Sequence, residues 1–433
     1  MRLCQEKNLK DCIQKLRKIV DYKSMNCFFY FLIPLSLISH IAYAMVAGGR
    51  PNSISGGHNA FAGVVNPANA VWIKDRFDVG TFIVHQHSTL NNQDNNPLFN
   101  PGKINQTYKA RYITTADAAI HKQFRIKDHE CSFSLATYTT PGYVKIRTKE
   151  PIPIIGTTPI HLESKTQVIS SIFSWKLNEN HSIGFSIDYF YLSYLRKGFQ
   201  RADNFIRSVS PGHVTNNGTD HSEGLGLTLG WRWNISKSLS FGLAFIKKSH
   251  VGQFRRYRGY EPHHAKNYIP ATLGGGFTYK FTEKLAGRLE VLWTGFGSLP
   301  NANNSILPDG ELNTNKRGSN KSPGSGLQDA TLINFGLGYK VNDNLSLGAG
   351  LSHRIPLRRK SPYIISRSYT RQIFYDLITF GVNYNCHNND FFLTLSHGVD
   401  NHQSGYMPPK IGGGKFSSMK KYNAISLAWG YLY

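Results

Sequence analysis

The sequence predicts an all-β fold, a transmembrane antiparallel β-barrel of about 14 strands with an N-terminal hatch (plug) in its lumen. Three observations support this prediction. The last residues, Ala424 to Tyr433, alternate large apolar with small side chains and end on an aromatic residue. Similar segments of about ten residues recur along the chain, as alternation between lipid and lumen requires. The connections between these segments alternate between short and long, like the turns and loops of membrane barrels.

Composition narrows the fold class further. After the first 44 residues, no stretch has the ~20 consecutive apolar residues of a transmembrane helix, so a bundle of membrane-spanning helices is excluded. A soluble β-sandwich remains the alternative, because alternation alone does not distinguish lipid-facing from core-facing side chains. Aromatic residues make up 13% of the chain, which also contains 40 glycines. Both numbers favour the barrel, since barrels have aromatic girdles and use glycine where space is tight.

Residues 1–44 have the features of a cleaved signal peptide. An apolar run over residues 27–38 follows a basic region and precedes Ala42-Tyr43-Ala44, a small-residue cleavage motif. We therefore expect export, with a mature protein that begins at Met45. A membrane anchor is the alternative, but the run is short for a span and Pro34 interrupts it.

Residues 45–75 lack the alternation of a strand and precede the first alternating segment. The chain ends at the rim with the short turns, and the number of segments is even, so residues 45–75 begin at that same rim. We expect these residues to fold into the lumen as a hatch, and residues 76–433 to form the barrel.

Fourteen alternating segments follow the predicted hatch. They are Arg76–His87, Thr115–Arg125, Glu130–Thr139, Lys165–Leu177, His181–Leu195, Glu223–Ile235, Leu239–Val251, Ile269–Phe281, Leu285–Ser298, Thr331–Val341, Leu345–Ile355, Asp376–Tyr384, Phe391–Asp400 and Tyr422–Tyr433. Short connections such as 178–180 and 342–344 alternate with long ones such as 88–114 and 196–222. Nothing in the architecture of a soluble β-sandwich requires short and long connections to alternate in this way.

Three stretches carry a resemblance to a known family. They are Asn59-Ala60-Phe61-Ala62-Gly63 with Asn66-Pro67-Ala68, then residues 269–285, then residues 329–351. In this order along one chain they resemble the FadL/TodX family, the outer-membrane transporters of long-chain fatty acids and aromatic hydrocarbons. The resemblance implies ligand or hatch roles for Asn59, Phe61, Gly63, Asn66, Pro67 and Ala68.

The same resemblance implies a function. It predicts a passive transporter in the Gram-negative outer membrane for long-chain fatty acids or similar hydrophobic molecules, with the hatch as its gate. The alternatives are a general-diffusion porin and a structural or adhesin barrel. Lipopolysaccharide and outer-membrane lipid are expected partners, as is the assembly machinery, which would contact the strand that ends at Tyr433. The protein is expected to be a monomer.

Family transporters use a kinked strand as a side door into the bilayer. Proline and glycine weaken a strand ladder and permit such kinks. Pro141-Gly142, with Pro151, Pro153 and Gly156 beyond it, therefore marks the expected position of a side door. The simpler interpretation is a proline-rich external loop.

Strand phase predicts which side chains line the lumen. Leu289, Val291 and Trp293 form an apolar face, and turning it toward lipid points Arg288 and Glu290 inward. The same rule places further polar residues inside, namely Arg232, Asn334, Lys340, Arg354, Asp117, His121 and Asp188. A charge on the lipid face costs ~2 to 4 kcal/mol near the midplane, which strongly favours this phase. We expect a salt-bridge network that anchors the hatch, with binding of a ligand carboxylate as the alternative.

Much of the formal net charge of +24 lies in predicted external loops. These loops are 196–207, 254–266 and 356–371. Basic loops attract lipopolysaccharide phosphates and fatty carboxylates over roughly a Debye length. An exported protein meets little nucleic acid, so no nucleic-acid partner is expected.

Catalytic and metal motifs are weak. Residues 412–415 lack the spacing and the hydroxyl residue of a P-loop, and His85 and His87 lack the partners of a metal site. Ser396 and His397 lie on opposite faces of one strand and cannot form a dyad. The sequence predicts no enzyme, no metal and no cofactor.

Overall fold

The computed structural model of the chain describes residues 52–93, 106–140, 144–151, 155–300, 303–304, 313–324, 327–355, 376–406 and 414–433. The predicted signal peptide lies outside these ranges, as do Pro141-Gly142, Pro153 and the predicted basic loop 356–371. Within the described ranges, helices are too short or too polar to cross a membrane.

Strands dominate the described chain. They are β1 Arg76–Gln93, β2 Gln106–Ile126, β3 His129–Thr139, β4 Val144–Pro151, β5 Pro159–Lys176, β6 His181–Lys197, β7 Asp220–Asn234, β8 Leu239–Ile246, β9 Ser249–Gln253, β10 Lys266–Ile269, β11 Thr272–Lys280, β12 Leu285–Thr294, β13 Ala330–Lys340, β14 Leu345–Arg354, β15 Asp376–Cys386, β16 Asn389–Tyr406 and β17 Lys415–Leu432. Helical segments are short: α1 Ala62–Val65, α2 Pro262–Ala265 and the 3-10 turns Pro67–Trp72, Gln200–Ala202, Arg255–Tyr257 and Phe296–Ser298.

The sheet closes into a barrel. Each strand of the wall pairs antiparallel with its neighbours, and β1 pairs with β17, with Arg76 opposite Leu432. Both β3 and β4 pair with β5, one after the other, so they share one position in the wall. Strands β9 and β10 form a separate hairpin, which leaves 14 wall positions among the 15 strands of the sheet. The predicted barrel of about 14 strands is confirmed.

Two predicted strand boundaries were wrong for identifiable reasons. The predicted segment 269–281 is divided between β10 and β11 at Pro270, which has no N–H to donate to a ladder. The segment 239–251 is likewise divided between β8 and β9, because the chain leaves the wall at Lys247. Strands β1, β2, β16 and β17 are longer than alternation indicated, at 18 to 21 residues.

The two faces of the wall differ as a bilayer would require. On the outside, Leu289 is 50% exposed, Ile425 43% and Tyr433 53%, although all three are apolar or aromatic. Side chains one residue away, such as Glu290 and Ser426, are buried on the inside. Short turns connect strands at one end, the short-turn rim, and longer connections lie at the other, the long-loop rim.

Candidate functional site

Residues 52–75, the N-terminal segment, lie inside the barrel against its inner face. Ile54 packs on Ala244 and Leu292 of the wall, and Phe61 belongs to a cluster with the wall residue Ile172. All three apolar contacts are inward-facing positions of wall strands. The segment therefore occupies the lumen near the short-turn rim.

Asn66 organises the local structure of the N-terminal segment. Its side-chain oxygen accepts the N–H of Ala68 at 3.1 Å and caps the 3-10 turn that starts at Pro67. Proline fits this first position because its missing N–H would have no partner there. The Asn66 amide donates to the carbonyl of Ile54 at 2.7 Å and to the wall carbonyl of Trp231 at 3.0 Å. One side chain thus joins two parts of the segment to the barrel.

Glycines in the wall permit this close approach. A methyl group on Gly184 would lie 2.6 Å from the carbonyl carbon of Pro67, and one on Gly242 would overlap the backbone of Ile54. Gly230 faces Asn66 in the same way. Because no side chain intervenes, backbone of the segment reaches backbone of the wall.

Inward charges hold the backbone of the N-terminal segment. The Glu290 carboxylate accepts the N–H of Ile54 at 2.8 Å and the amide of Asn334 at 3.4 Å. Arg288 donates to the carbonyl of Asn52 at 3.5 Å. The structure therefore brings Arg288, Glu290 and Asn334 together at the segment.

A second charged cluster was not singled out from the sequence. Arg76 bridges Asp78 and Asp390, each at 2.8 Å, and donates to the carbonyl of His58 at 2.8 Å. Asp78 accepts the N–H of Ala60 at 2.7 Å. The signal available in the sequence was the spacing of Arg76 and Asp78, which puts both on the inward face of the first strand.

Three further residues named from strand phase, Arg232, Arg354 and Lys340, lie apart from these clusters, whereas His121 lies opposite Arg76 in the β1–β2 ladder. Arg232 points inward, with its guanidinium 5.1 Å from the ring centre of Trp72. Arg354 occupies an inward position on β14, next to Leu332 of β13. Lys340 lies at the short-turn rim, where it is largely exposed and pairs with Asp343 at 2.7 Å. Lys340 does not contact the N-terminal segment.

His58 is the histidine of the N-terminal segment. Its side chain is exposed to the lumen, but the barrel encloses this part of the lumen and its cations face the ring. Its pKa is lowered from the usual value near 6.5. The first cause is burial, and the second is repulsion from surrounding cations, namely Arg288, Arg232, Arg76 and Lys280. A neutral His58 therefore suits the packed segment.

Above the N-terminal segment, the inner wall of β5–β7 carries a polar layer. This layer consists of Asp188 with Ser170, Ser186 and Thr228. Asp188 is 4% exposed, and its carboxylate accepts hydrogen bonds from Ser186 at 3.0 Å, from Thr228 at 2.8 Å and from Ser170. Among the salt bridges of the described chain, none involves Asp188.

An apolar layer lies next toward the long-loop rim. Val168 and Phe190 are buried there, and Val251 of the β9–β10 hairpin packs on both. Gly226 lies under the Phe190 ring, and Gly224 meets Val251. The hairpin therefore enters the mouth of the barrel and covers this layer.

The hairpin is held by a folded external cap. Glu261 pairs with the buried Arg196 at 2.5 Å, and the Arg196 guanidinium lies 3.6 Å from the ring centre of Tyr260. Arg317, from the connection between β12 and β13, lies 4.6 Å from the same ring centre. Tyr257 is fully buried and donates to the carbonyl of Gly218 at 2.5 Å. Three connections of the long-loop rim are thus joined.

The wall has a seam between β2 and the position shared by β3 and β4. The β2–β3 ladder runs from Ile126 to Ala118, paired with His129 to Thr137, and stops there. Beyond this point β2 continues and β4 follows β3, but no ladder pair joins β2 to β4 in the described part of either strand. Asp117 accepts the N–H of Thr139 at 3.0 Å where the ladder ends. The apolar layer adjoins the seam, because Tyr138 pairs with Val168.

No group of three or more His, Cys, Asp or Glu side chains in the described ranges is arranged to hold a metal ion.

Comparison with solved structures shows the fold that this chain shares. The toluene transporter TodX of P. putida matches with a TM-score of 0.63 and 13% identity, over 91% of this chain and 99% of TodX. A Pseudomonas aeruginosa FadL homologue matches with a TM-score of 0.60 and 14% identity, over 91% and 100%. The Ralstonia pickettii toluene transporter TbuX matches with a TM-score of 0.59 and 13% identity, over 92% of this chain and 100% of TbuX. None of these three is described as an enzyme.

Comparison by sequence found no match. No family model matches the chain, and no curated protein matches it.

Proposed function

We propose that this chain, which has the fold of the FadL/TodX-type channels, is a passive outer-membrane transporter for hydrophobic small molecules. Two of the solved neighbours are toluene transporters, which supports an apolar ligand. The Gram-negative outer membrane is the proposed location, reached by export and cleavage of residues 1–44. The strand that ends at Tyr433 would contact the assembly machinery, and the protein would act as a monomer.

The observation that carries the proposal is the packing of the N-terminal segment in the lumen. Asn66, Glu290 and the Arg76 cluster bind its backbone to opposite parts of the wall. A general-diffusion porin needs an open lumen, so this packing favours a gated transporter. Residues 45–75 are accordingly proposed as the hatch, with Asn59, Phe61, Gly63, Asn66, Pro67 and Ala68 as its structural residues.

The seam supports a lateral exit. A hydrophobic ligand that leaves between β2 and β4 enters the bilayer without crossing the polar contacts around the N-terminal segment. The apolar layer leads to this point, since Val168 lies beside Tyr138 at the end of β3. Apolar side chains along the route keep an apolar ligand out of water.

The exposed basic side chains of the external cap support contact with lipopolysaccharide. Arg255, Arg256, Lys316 and Lys321 are exposed in the long-loop connections. Their charge would attract the phosphates of lipopolysaccharide over roughly a Debye length.

A reversible lock on the N-terminal segment tests the gated function. Ser182 of β6 donates to the carbonyl of Ala68 at 2.8 Å, and Ala68→Cys with Ser182→Cys is therefore the pair chosen for a cross-link between the segment and the wall. We expect oxidation to lower uptake of labelled toluene by about tenfold, because a locked segment cannot reach another state. Reduction should restore uptake.

Each single cysteine variant is the matched control, and both should be insensitive to oxidant. Uptake should be measured in Gram-negative cells that lack their own channel of this fold, against cells with an empty vector. Unchanged uptake with a fully formed cross-link would show that the segment does not gate the barrel.

A further inference from the structure

We infer that the lumen of this protein selects neutral apolar molecules against carboxylates, and that Asp188 is the specificity-determining residue. The inference rests on the proposed transport function and names the substrate class of the same lumen. It depends on three observations about the wall of β2–β7.

The first observation is the position of Asp188 between two parts of the chain that enter the lumen, the N-terminal segment and the β9–β10 hairpin. They are called the two inserts below. On β6, Gly184 meets Pro67 of the N-terminal segment, and Phe190 meets Val251 of the hairpin. Asp188 lies on the same inward face between them. On the neighbouring strands, Ser170 of β5 lies opposite Asp188, and Thr228 of β7 donates to it from the position opposite Ser186. A molecule that passes under the hairpin therefore reaches Asp188 before it reaches the segment.

The second observation is the absence of a compensating cation at Asp188. Hydroxyl groups of Ser170, Ser186 and Thr228 donate to its carboxylate, and these donors carry no charge. Hydrogen bonds satisfy the oxygen atoms but leave the negative charge in place. An anionic ligand that approaches this layer meets a like charge with little water to screen it.

The third observation is the composition of the surrounding wall. The seam is bordered by a second acid, Asp117, whose carboxylate accepts the N–H of Thr139. The inward positions of β2 from Thr115 to Ala119, and those of β5–β7 between the two inserts, include no Lys or Arg. The inward Arg354 lies on β14, six wall positions from β6. A ligand carboxylate would find no cation at these inward positions.

The apolar layer completes the argument. Val168, Phe190 and Val251 are buried against one another and are hydrocarbon throughout, with Tyr138 at the edge of the seam. Insertion of a hydrocarbon among such side chains is favourable, whereas an unpaired carboxylate must lose its hydration there. Hydrophobic contact and charge repulsion thus act in the same direction and favour neutral ligands.

Toluene and benzoate form a matched pair of probes, because benzoate carries a carboxylate where toluene carries a methyl group. Initial uptake of each labelled compound is measured in cells that express the full chain and lack their own channel of this fold. Cells with an empty vector supply the background. We expect the wild type to raise toluene uptake above background and to leave benzoate uptake near background.

Asp188→Asn keeps the size of the side chain and removes its charge. We expect this variant to raise benzoate uptake by about tenfold, in line with the loss of a like charge a few ångströms away, while toluene uptake stays within about twofold of wild type. Glu179→Gln removes one charge from an exposed turn and is the matched control. It should change neither rate.

The outcomes separate the inference from the function on which it rests. If the wild type raises toluene uptake and benzoate uptake equally above background, transport is supported and charge selection is overturned. This outcome does not depend on whether the variant folds. An unchanged ratio of the two rates in a folded Asp188→Asn barrel would overturn the role of Asp188. Failure of both compounds to exceed the empty-vector background would refute the proposed transport function, and the inference with it.

Discussion

At the scale of the residue, charged side chains are buried in the lumen where hydrogen bonds and ion pairs satisfy their polar atoms. Arg76 has two carboxylates and a backbone carbonyl as acceptors, so its guanidinium is satisfied away from bulk water. Glu290 is fully buried, and the N–H of Ile54 and the amide of Asn334 donate to it. Removing one partner of such a group costs more than the pair contributes, because the other charge is left unpaired. These residues therefore determine where the N-terminal segment can pack.

His58 makes the packing of the N-terminal segment sensitive to pH. Its pKa is lowered in the folded state by burial and by nearby cations. A histidine with a lowered pKa contributes stability that is complete above the unfolded value near 6.5 and declines as the pH falls toward the folded value. Between about pH 7.5 and 5.5 we expect proteolysis of the segment in purified protein to become faster.

His58→Gln should reduce this pH dependence, because glutamine does not titrate in that range. His129→Gln, at an exposed position beside a short turn, is the matched control and should behave like wild type. A proteolysis profile of His58→Gln that is as steep as that of wild type would refute the role of His58.

At the scale of the element, interruptions of regular structure create the site. The 3-10 turn at Pro67–Trp72 lets the N-terminal segment bend along the wall, and Asn66 supplies the cap that starts it. The β9–β10 hairpin leaves the wall because Pro270 cannot continue the ladder of β11. The ladder between β2 and β3 ends at Ala118, although β2 goes on and stays paired with β1. Each interruption brings a chain segment into the lumen or ends a ladder of the wall beside it.

Asn66→Ala should loosen the N-terminal segment. The change removes the cap at Ala68 and the bonds to the carbonyls of Ile54 and Trp231, which leaves buried polar groups unpaired. We expect the free energy of local opening to fall by about 1 to 3 kcal/mol. Hydrogen exchange of residues 52–75, followed by mass spectrometry, measures this opening.

Asn178→Ala is the control for the loss of an asparagine cap. The Asn178 oxygen accepts the N–H groups of Asn180 and His181, both at 2.9 Å, in an exposed turn between β5 and β6. Exchange in the N-terminal segment should not change in this variant. Equal exchange of the segment in Asn66→Ala and wild type would show that Asn66 does not hold it.

At the scale of the whole molecule, the wall and its contents are separate structures. The barrel closes through the ladder between β1 and β17, which runs from Arg76 to Gln93 and includes no residue of the N-terminal segment. The outer face is apolar, and the inner face carries the polar contacts that receive the segment. Closure removes free strand edges, which is the general requirement for a barrel in lipid. The N-terminal segment can therefore change its position in the lumen while the strand pairing of the wall stays the same.

Deletion of residues 52–68 should leave a closed barrel with an open lumen. We expect ion conductance across planar bilayers to rise by about tenfold or more, since the segment no longer fills the bore. Heat-modifiable migration on gels reports whether the barrel is folded.

The control for this deletion removes residues 305–312 from the connection between β12 and β13. It shortens the chain without touching the N-terminal segment and should keep the conductance of wild type. A folded deletion variant that conducts no better than wild type would argue against the segment as the barrier.

The sequence by itself determined the class of the fold, the number of strand positions and the phase of the strands whose lumen residues it named. These properties depend on alternation with a period of two residues, which is visible in any short window. The outward positions of Leu289 and Ile425 and the inward position of Glu290 follow from that alternation alone. A resemblance along three stretches then indicated a hatch.

Only the tertiary structure decided which residues meet inside the barrel. The contact of Arg76 with Asp390 joins the first strand to the last but one, and Val251 reaches Phe190 through a hairpin that looked like an extension of β8. Such contacts depend on the curvature of the closed wall and on the space that glycines leave. No local sequence pattern specifies these contacts across the lumen. Each inward-facing residue would keep the same alternation if it contacted a different residue inside the barrel.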